Sequence, residues 1–134
     1  MQALVLIAHG SRRQASNQEV QDLAERLRNT TTVGFSLIAT GFLELATPSI
    51  PDAIESCIAA GATSVVVVPY FLAAGRHVAD DIPRIVESVA RQHSHVPIRI
   101  SEHIGMSDAM IPLILASASG SRTDAAIPGL QQTA

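Results

Sequence analysis

Residues 64–83 read SVVVVPYFLAAGRHVADDIP. The stretch opens on Val65, Val66, Val67 and Val68, four β-branched side chains with no polar alternation. A strand with one wet face alternates in polarity. An unbroken apolar run is instead the mark of a strand covered on both faces, the usual state of a central strand in a parallel sheet. Pro69 cannot donate to a ladder, so pairing weakens there. A short loop is predicted to follow, with Gly75 as its loosest point and His77 at its far end. Asp80 and Asp81 then open a helix, where their charges suit the positive end of the dipole, and Pro83 falls in its first turn. An imidazole therefore stands just past the carboxyl end of a buried strand, where open α/β sheets place their ligands.

The rest of the chain repeats that unit. Ala3 to Ala8 (ALVLIA) reads as a first buried strand, ended by His9-Gly10-Ser11 and the polar Arg12, Arg13 and Gln14. Ser16 with Glu19 fits a capping box, ahead of a helix with Val20, Leu23, Ala24 and Leu27 on one face. Phe35 to Thr40 (FSLIAT) is a second, more mixed strand, placed toward the sheet edge. Gly41 to Glu44 carries the chain past its end. Thr47, Pro48 and Ser49 start the next helix, with the proline in its first turn. Ile50, Ala53, Ile54, Cys57 and Ile58 recur at helical spacing, and Gly61 is its stop. After the third helix, which buries Ile82, Ile85, Val86, Val89 and Ala90, Val96 to Ser101 is a short fourth strand. Glu102 to Met106 leads to a last helix ending near Ala116, in which Pro112 implies a late start or a kink. Four β-α units dictate an α/β fold: a four-stranded parallel sheet with right-handed crossovers and helices on both faces, a three-layer sandwich of flavodoxin-like type. Residues 1–117 form one domain, and residues 118–134, small and patternless, form a flexible tail.

Bulk numbers narrow the function. With 134 residues of which 47% are apolar, the chain is long and apolar enough for one globular core. All nine basic residues are arginines and the net charge is −3, which argues against a nucleic-acid partner. Without lysine there is neither a Schiff-base amine nor a P-loop lysine. One cysteine, Cys57, lies on the apolar stripe of the second helix and reads as core. No apolar run is long enough to span a membrane and the first residues lack a basic signal region, so a soluble, cytoplasmic protein is expected.

Three groups converge on one edge. His9 follows the first strand, Glu44 the second and His77 the third, and in a parallel sheet these strand ends lie together. Two imidazoles and a carboxylate suit a divalent metal with room for an exogenous ligand, or proton transfer near neutral pH. Each alone has a plainer reading: a loop histidine bonded to a carbonyl, a helix-start carboxylate, a solvated histidine. Together they need three coincidences at the one edge where function is expected. Ser11 is a cap or a hydrogen-bond donor to the site, with no G-x-S-x-G elbow around it. Arg12, Arg13 and Arg76 flank the loops and suit carboxylates. His103 faces the same edge, while His93 and His95 belong to a solvated connection. Asp80 and Asp81 are helix-start charges or outer-shell groups.

The residues LIAHGSR at 6–12, FLELATPSI at 42–50 and VVPYFLAAGRHVADDIP at 67–83 resemble the sirohydrochlorin chelatases of the CbiX/SirB type, in their short single-domain form. The likeness runs from about Leu4 to about Leu115. It implies insertion of Co(II), or of Fe(II) in the siroheme branch, into sirohydrochlorin during cobalamin or siroheme biosynthesis, with no ATP and no organic cofactor; Ni(II) suits the same donors. It also implies a homodimer, the second copy standing for the second lobe of longer relatives. The family's metal histidines carry over to His9 and His77, and its acidic position to Glu44 as proton relay. Ser11, Arg12 and Arg76 are then positioned for the tetrapyrrole carboxylates. A non-catalytic tetrapyrrole or metal carrier with the same site, a phosphoryl-transfer enzyme using His9, and a flavodoxin-like interaction module are the rival readings. Against the second of these, Ala8 stands where phosphohistidine families carry arginine.

Overall fold

A computed structural model describes residues 1–30 and 34–120, with the side chain of His77 outside the description. Of the tail expected at 118–134, residues 121–134 lie outside the described residues, and Ala118 instead closes the last helix. Four strands form one parallel sheet: β1 (Gln2–Ala8), β2 (Leu37–Phe42), β3 (Ser64–Pro69) and β4 (Ile98–Ile100), in the order β2-β1-β3-β4. The helices are α1 (Gln14–Arg28), α2 (Ile50–Ala59), α3 (Arg76–Gln92) and α4 (Met110–Ala118), with a 3₁₀ turn at Ile104–Met106 before the last.

Period-two alternation sorts β1 between two cores. Ala3, Val5 and Ile7 point to one face with Val65 and Val67, under Ile50, Ala53, Ile54 and Cys57 of α2 and Ile82, Val86 and Val89 of α3. Leu6 and Ala8 point to the other, against Val20 of α1 and Phe42. The valine run is central as expected, with Val67 opposite Val5 on one side and Ile100 on the other. Strand β2 is at the edge, as its mixed composition predicted. Truncating Ile54, which is fully buried, to alanine removes about 2–5 kcal/mol by the usual cost of a core cavity. Burial also pushes the Cys57 thiol up from its ordinary value, so it stays protonated and inert, a core side chain as read.

Several boundaries differ from the sequence reading. Helix α1 starts at Gln14 with Arg13 as an uncapped N-cap, so Ser16 lies inside the helix and the Ser16–Glu19 capping box does not form. Asn17, Val20 and Ala24 are the buried residues of its first three turns, and seating Asn17 draws the helix start forward. In α2 the N-cap is Ser49, whose hydroxyl accepts from the Asp52 amide at 3.2 Å; Pro51, not Pro48, occupies the first turn. Helix α3 begins at Arg76 behind Gly75, not at Asp80, because the apolar stripe reaches back to Val78, which packs on the core with Ile82. That extra turn takes His77 out of the loop and leaves Pro83 inside the helix. Strand β2 runs two residues later than expected and β4 is shorter. Pro112 sits in the first turn of α4, the late start that it implied. Helix α4 differs from the rest in having no buried residue: Ile111, Leu113, Ile114 and Leu115 are 55–63% exposed.

Candidate metal centre

The chain leaves β1 toward β2 on one side, then crosses back over β1 to reach β3 on the other. The carboxyl ends of β1 and β3 therefore flank the point where the winding reverses, where such sheets open a crevice. His9 is the first residue after β1. Glu44 lies two residues past the end of β2. The backbone of His77 is in the first turn of α3, beyond β3. All three turns thus meet on one rim, with His9 between the other two, as the parallel order demands.

His9 and Glu44 make contact. The His9 Nε2 and Glu44 Oε1 atoms are 2.9 Å apart, with both side chains about half exposed. An ionised carboxylate only accepts, so the shared proton is on Nε2. Backbone bonds set this distance. The Leu43 amide donates to the Ala8 carbonyl and the Glu44 amide to the His9 carbonyl, at 2.9 and 3.0 Å. These two bonds extend the β1–β2 ladder beyond the sheet. On the other flank, the Tyr70 amide donates to Ile7 at 2.7 Å and ties the β3 turn to the same strand end.

The loop after His9 is fixed by a residue the sequence reading passed over. Asn17 is 4% exposed. Its Oδ1 accepts from the Ser11 amide at 2.9 Å and its Nδ2 donates to the Ser11 carbonyl at 2.8 Å. The signal was present: a lone amide on the stripe Asn17, Val20, Ala24 asks for a buried partner. Ser11 Oγ accepts from the Arg13 amide at 3.0 Å, a turn bond ahead of the helix and not the cap read for it, since α1 has no side-chain cap. Arg12 and Arg76 are exposed on the two histidine turns, without a carboxylate partner among the described residues.

Other histidines stand apart. His103 follows β4, two strands from β1, beside an apolar hollow of about 220 Å³ that Phe71, Val78, Ile82 and Ile100 also line. His93 closes α3 and meets Glu55 Oε1 at 3.2 Å, with the His95 ring 6.4 Å away, so it is tied to α2 rather than simply solvated. Among the described residues no three His, Cys, Asp or Glu side chains form a metal-holding group; His9 and Glu44 supply two donors. No helix among them is long and apolar enough to cross a membrane.

Comparison with known proteins places the fold in a family. A sirohydrochlorin ferrochelatase from Arabidopsis thaliana, a chloroplast protein, is 32% identical over 111 residues, covering 83% of this chain and 48% of that protein. A sirohydrochlorin cobaltochelatase from Methanocaldococcus jannaschii is 39% identical over 93 residues, covering 69% of this chain and 64% of the other. The match thus spans about half the length of the first relative and just under two thirds of the second. A solved structure of a protein from Marinobacter aquaeolei VT8, described as a CbiX protein, superposes with a TM-score of 0.77 at 30% identity, over 89% of this chain and 95% of that one. The profile of the CbiX family matches residues 3–121, and on that match, with the four-stranded sheet and the paired groups at its rim, the chain belongs to the CbiX family.

Proposed function

We propose that this chain inserts a divalent metal, Co(II) or Fe(II), into sirohydrochlorin, with His9 and His77 receiving the metal and Glu44 relaying protons. The observation that carries this reading is the 2.9 Å contact between His9 Nε2 and Glu44 Oε1 at the reversal point of the sheet. Metal–nitrogen and metal–oxygen bonds of about 2.1 Å set at right angles put their donor atoms about 3.0 Å apart. A cation can therefore take the place of the shared proton with little movement of either side chain. Ligation at Nε2 then leaves the ring proton on Nδ1.

Insertion expels two pyrrole N–H protons as the metal enters the ring. When His9 hands over the cation, its Nε2 is again a base beside Glu44 and takes one of them. Glu44, 2.9 Å from Nε2 and half exposed, passes the proton on to water. Ligation by imidazole and carboxylate leaves the metal able to depart, as thiolates would not. Exposed Arg12 and Arg76, with Ser11, lie on the turns beside the pair, where peripheral carboxylates of the substrate would meet them. No ATP and no organic cofactor takes part in this scheme.

A second copy of the chain completes the site in this reading. His9 and Glu44 are each about half exposed, so a macrocycle held at them would lie over an open rim and need cover from outside. The relative from Arabidopsis is about twice as long as the matched segment, and the one from Marinobacter is of similar length to it. Helix α4 carries an apolar surface that nothing covers among the described residues, a mark of an interaction site.

The test is metal insertion followed by the absorbance of sirohydrochlorin with Co(II), Fe(II) or Ni(II). Repeated turnover with one of these metals is expected, and loss of at least about a hundredfold in His9→Ala and His77→Ala, the scale set by general acid–base and ligand roles. One equivalent and then no more would make the chain a carrier; full activity in both variants would overturn the site. Sedimentation velocity should find a dimer, which Leu113→Asp with Leu115→Asp converts to a monomer.

A further inference from the structure

Two backbone positions beside the pair are held in conformations that side chains resist. Gly10 has φ +94°, and a Cβ built on it would lie 1.7 Å from the Glu44 carbonyl oxygen and 2.9 Å from its carbon. No relaxation of a side chain relieves such a contact, because the obstacle is main chain. On the other side of the same carbonyl, Leu45 has φ +63° and is the only non-glycine residue with positive φ among the described residues. For a leucine this left-handed state costs on the order of 1–2 kcal/mol. The Leu45 side chain is only partly buried in return, 52% exposed. A strained backbone that packing offsets only in part is the pattern found at functional sites.

The strain has one visible product. With Gly10 lacking a side chain, the Glu44 peptide lies directly against the turn after β1, and its amide reaches the His9 carbonyl at 3.0 Å. With Leu45 turned left-handed, the chain leaves Glu44 sharply, and the carboxylate is delivered to His9 Nε2 at 2.9 Å. We propose that Gly10 and Leu45 are positioning residues for metal uptake: they act through Glu44, by backbone contact and backbone angle, to set its carboxylate on His9. Neither touches the metal. This inference rests on the reading of His9 and Glu44 as the metal-receiving pair.

The experiment is a titration of the apo-protein with Co(II), read by visible absorption, in wild type, Glu44→Gln, Gly10→Ala and the double variant, with the thermal midpoint of each measured alongside. Glu44→Gln is expected to weaken Co(II) binding by about ten- to a hundredfold, the usual effect of losing a partner of a metal-site histidine. Gly10→Ala should match that loss alone and add less than about threefold to it in the double variant, as groups acting through one another do not add. An unchanged affinity in Gly10→Ala, or losses that add in full, would overturn the proposal. No effect of Glu44→Gln would instead overturn the reading of the pair, and this inference with it.

Leu45 gives a second route should Gly10→Ala fail to fold, because its exposed loop position spares the core. Leu45→Val, β-branched and averse to positive φ, should weaken Co(II) binding, while Leu45→Gly, which favours that angle, should keep wild-type affinity. Equal effects of the two, or none from either, would show that the backbone angle is irrelevant and overturn the proposal.

Discussion

The two histidine-bearing turns at the rim are built in opposite ways. The turn after β1 is laced at every step: Asn17 grips both backbone groups of Ser11, the His9 carbonyl takes the Glu44 amide, and Gly10 abuts the Glu44 carbonyl. The turn after β3, residues 70–75, has no side-chain hydrogen bond among the described residues. Its hydrogen bonds are main chain, Tyr70 to Ile7 and Phe71 to Gly105; Phe71 packs on the core and the Leu72 carbonyl lies against Gly105, while the Leu72 side chain is 71% exposed. The turn ends at Gly75, where an added Cβ would meet nothing within 4 Å. One histidine is thus carried on a fixed mount and the other on the first turn of a helix with no side-chain cap. Under the function proposed above, uptake and later release of a cation are served by one fixed and one lightly held ligand.

Substitutions that interchange these properties test the contrast. The largest effect is expected from Asn17→Ala, which strands the amide and carbonyl of Ser11 in a half-buried place. The loss should be about 1–3 kcal/mol by the cost of unsatisfied polar groups, seen as a lower urea midpoint with an unchanged slope. A wild-type midpoint would mean that the first turn is not held as described. Much smaller is Gly75→Ser in the other turn, where serine adds a side-chain cap to α3 and nothing obstructs it. A change within a few tenths of a kcal/mol is expected. A loss comparable to that of Asn17→Ala would erase the difference between the turns. The least response belongs to Cys57, whose burial raises its thiol above its ordinary value. Iodoacetamide at pH 8 should leave it unmodified until denaturant is added, and rapid labelling of the native chain would contradict its place under α2.

How much of this was legible depended on what each residue obeys. The valine run and the four β-α units fixed strand type, the parallel sense of the sheet and the shared rim, because burial on both faces and right-handed crossovers leave few alternatives; the strand order itself was not read. Helix starts were legible only where a local rule had no competitor. Ser49 caps α2, but the Ser16 capping box yielded to the burial of Asn17, and the acidic start at Asp80 yielded to Val78 reaching the core. The pairing of His9 with Glu44 followed from the rim, but its closeness did not. That rests on Gly10 against a carbonyl thirty-odd residues away in sequence and on the angle at Leu45, neither of which any local pattern encodes. Helix α4 is apolar in sequence, yet among the described residues nothing covers it.

The central claim is that imidazoles from two separate β-α turns share one divalent cation. X-ray absorption at the cobalt edge, on protein loaded with one equivalent of Co(II), counts the imidazoles directly by their multiple scattering. Two imidazoles per cobalt are expected, falling to one in both His9→Ala and His77→Ala. A single imidazole in the wild type, or a count that His77→Ala leaves unchanged, would contradict it.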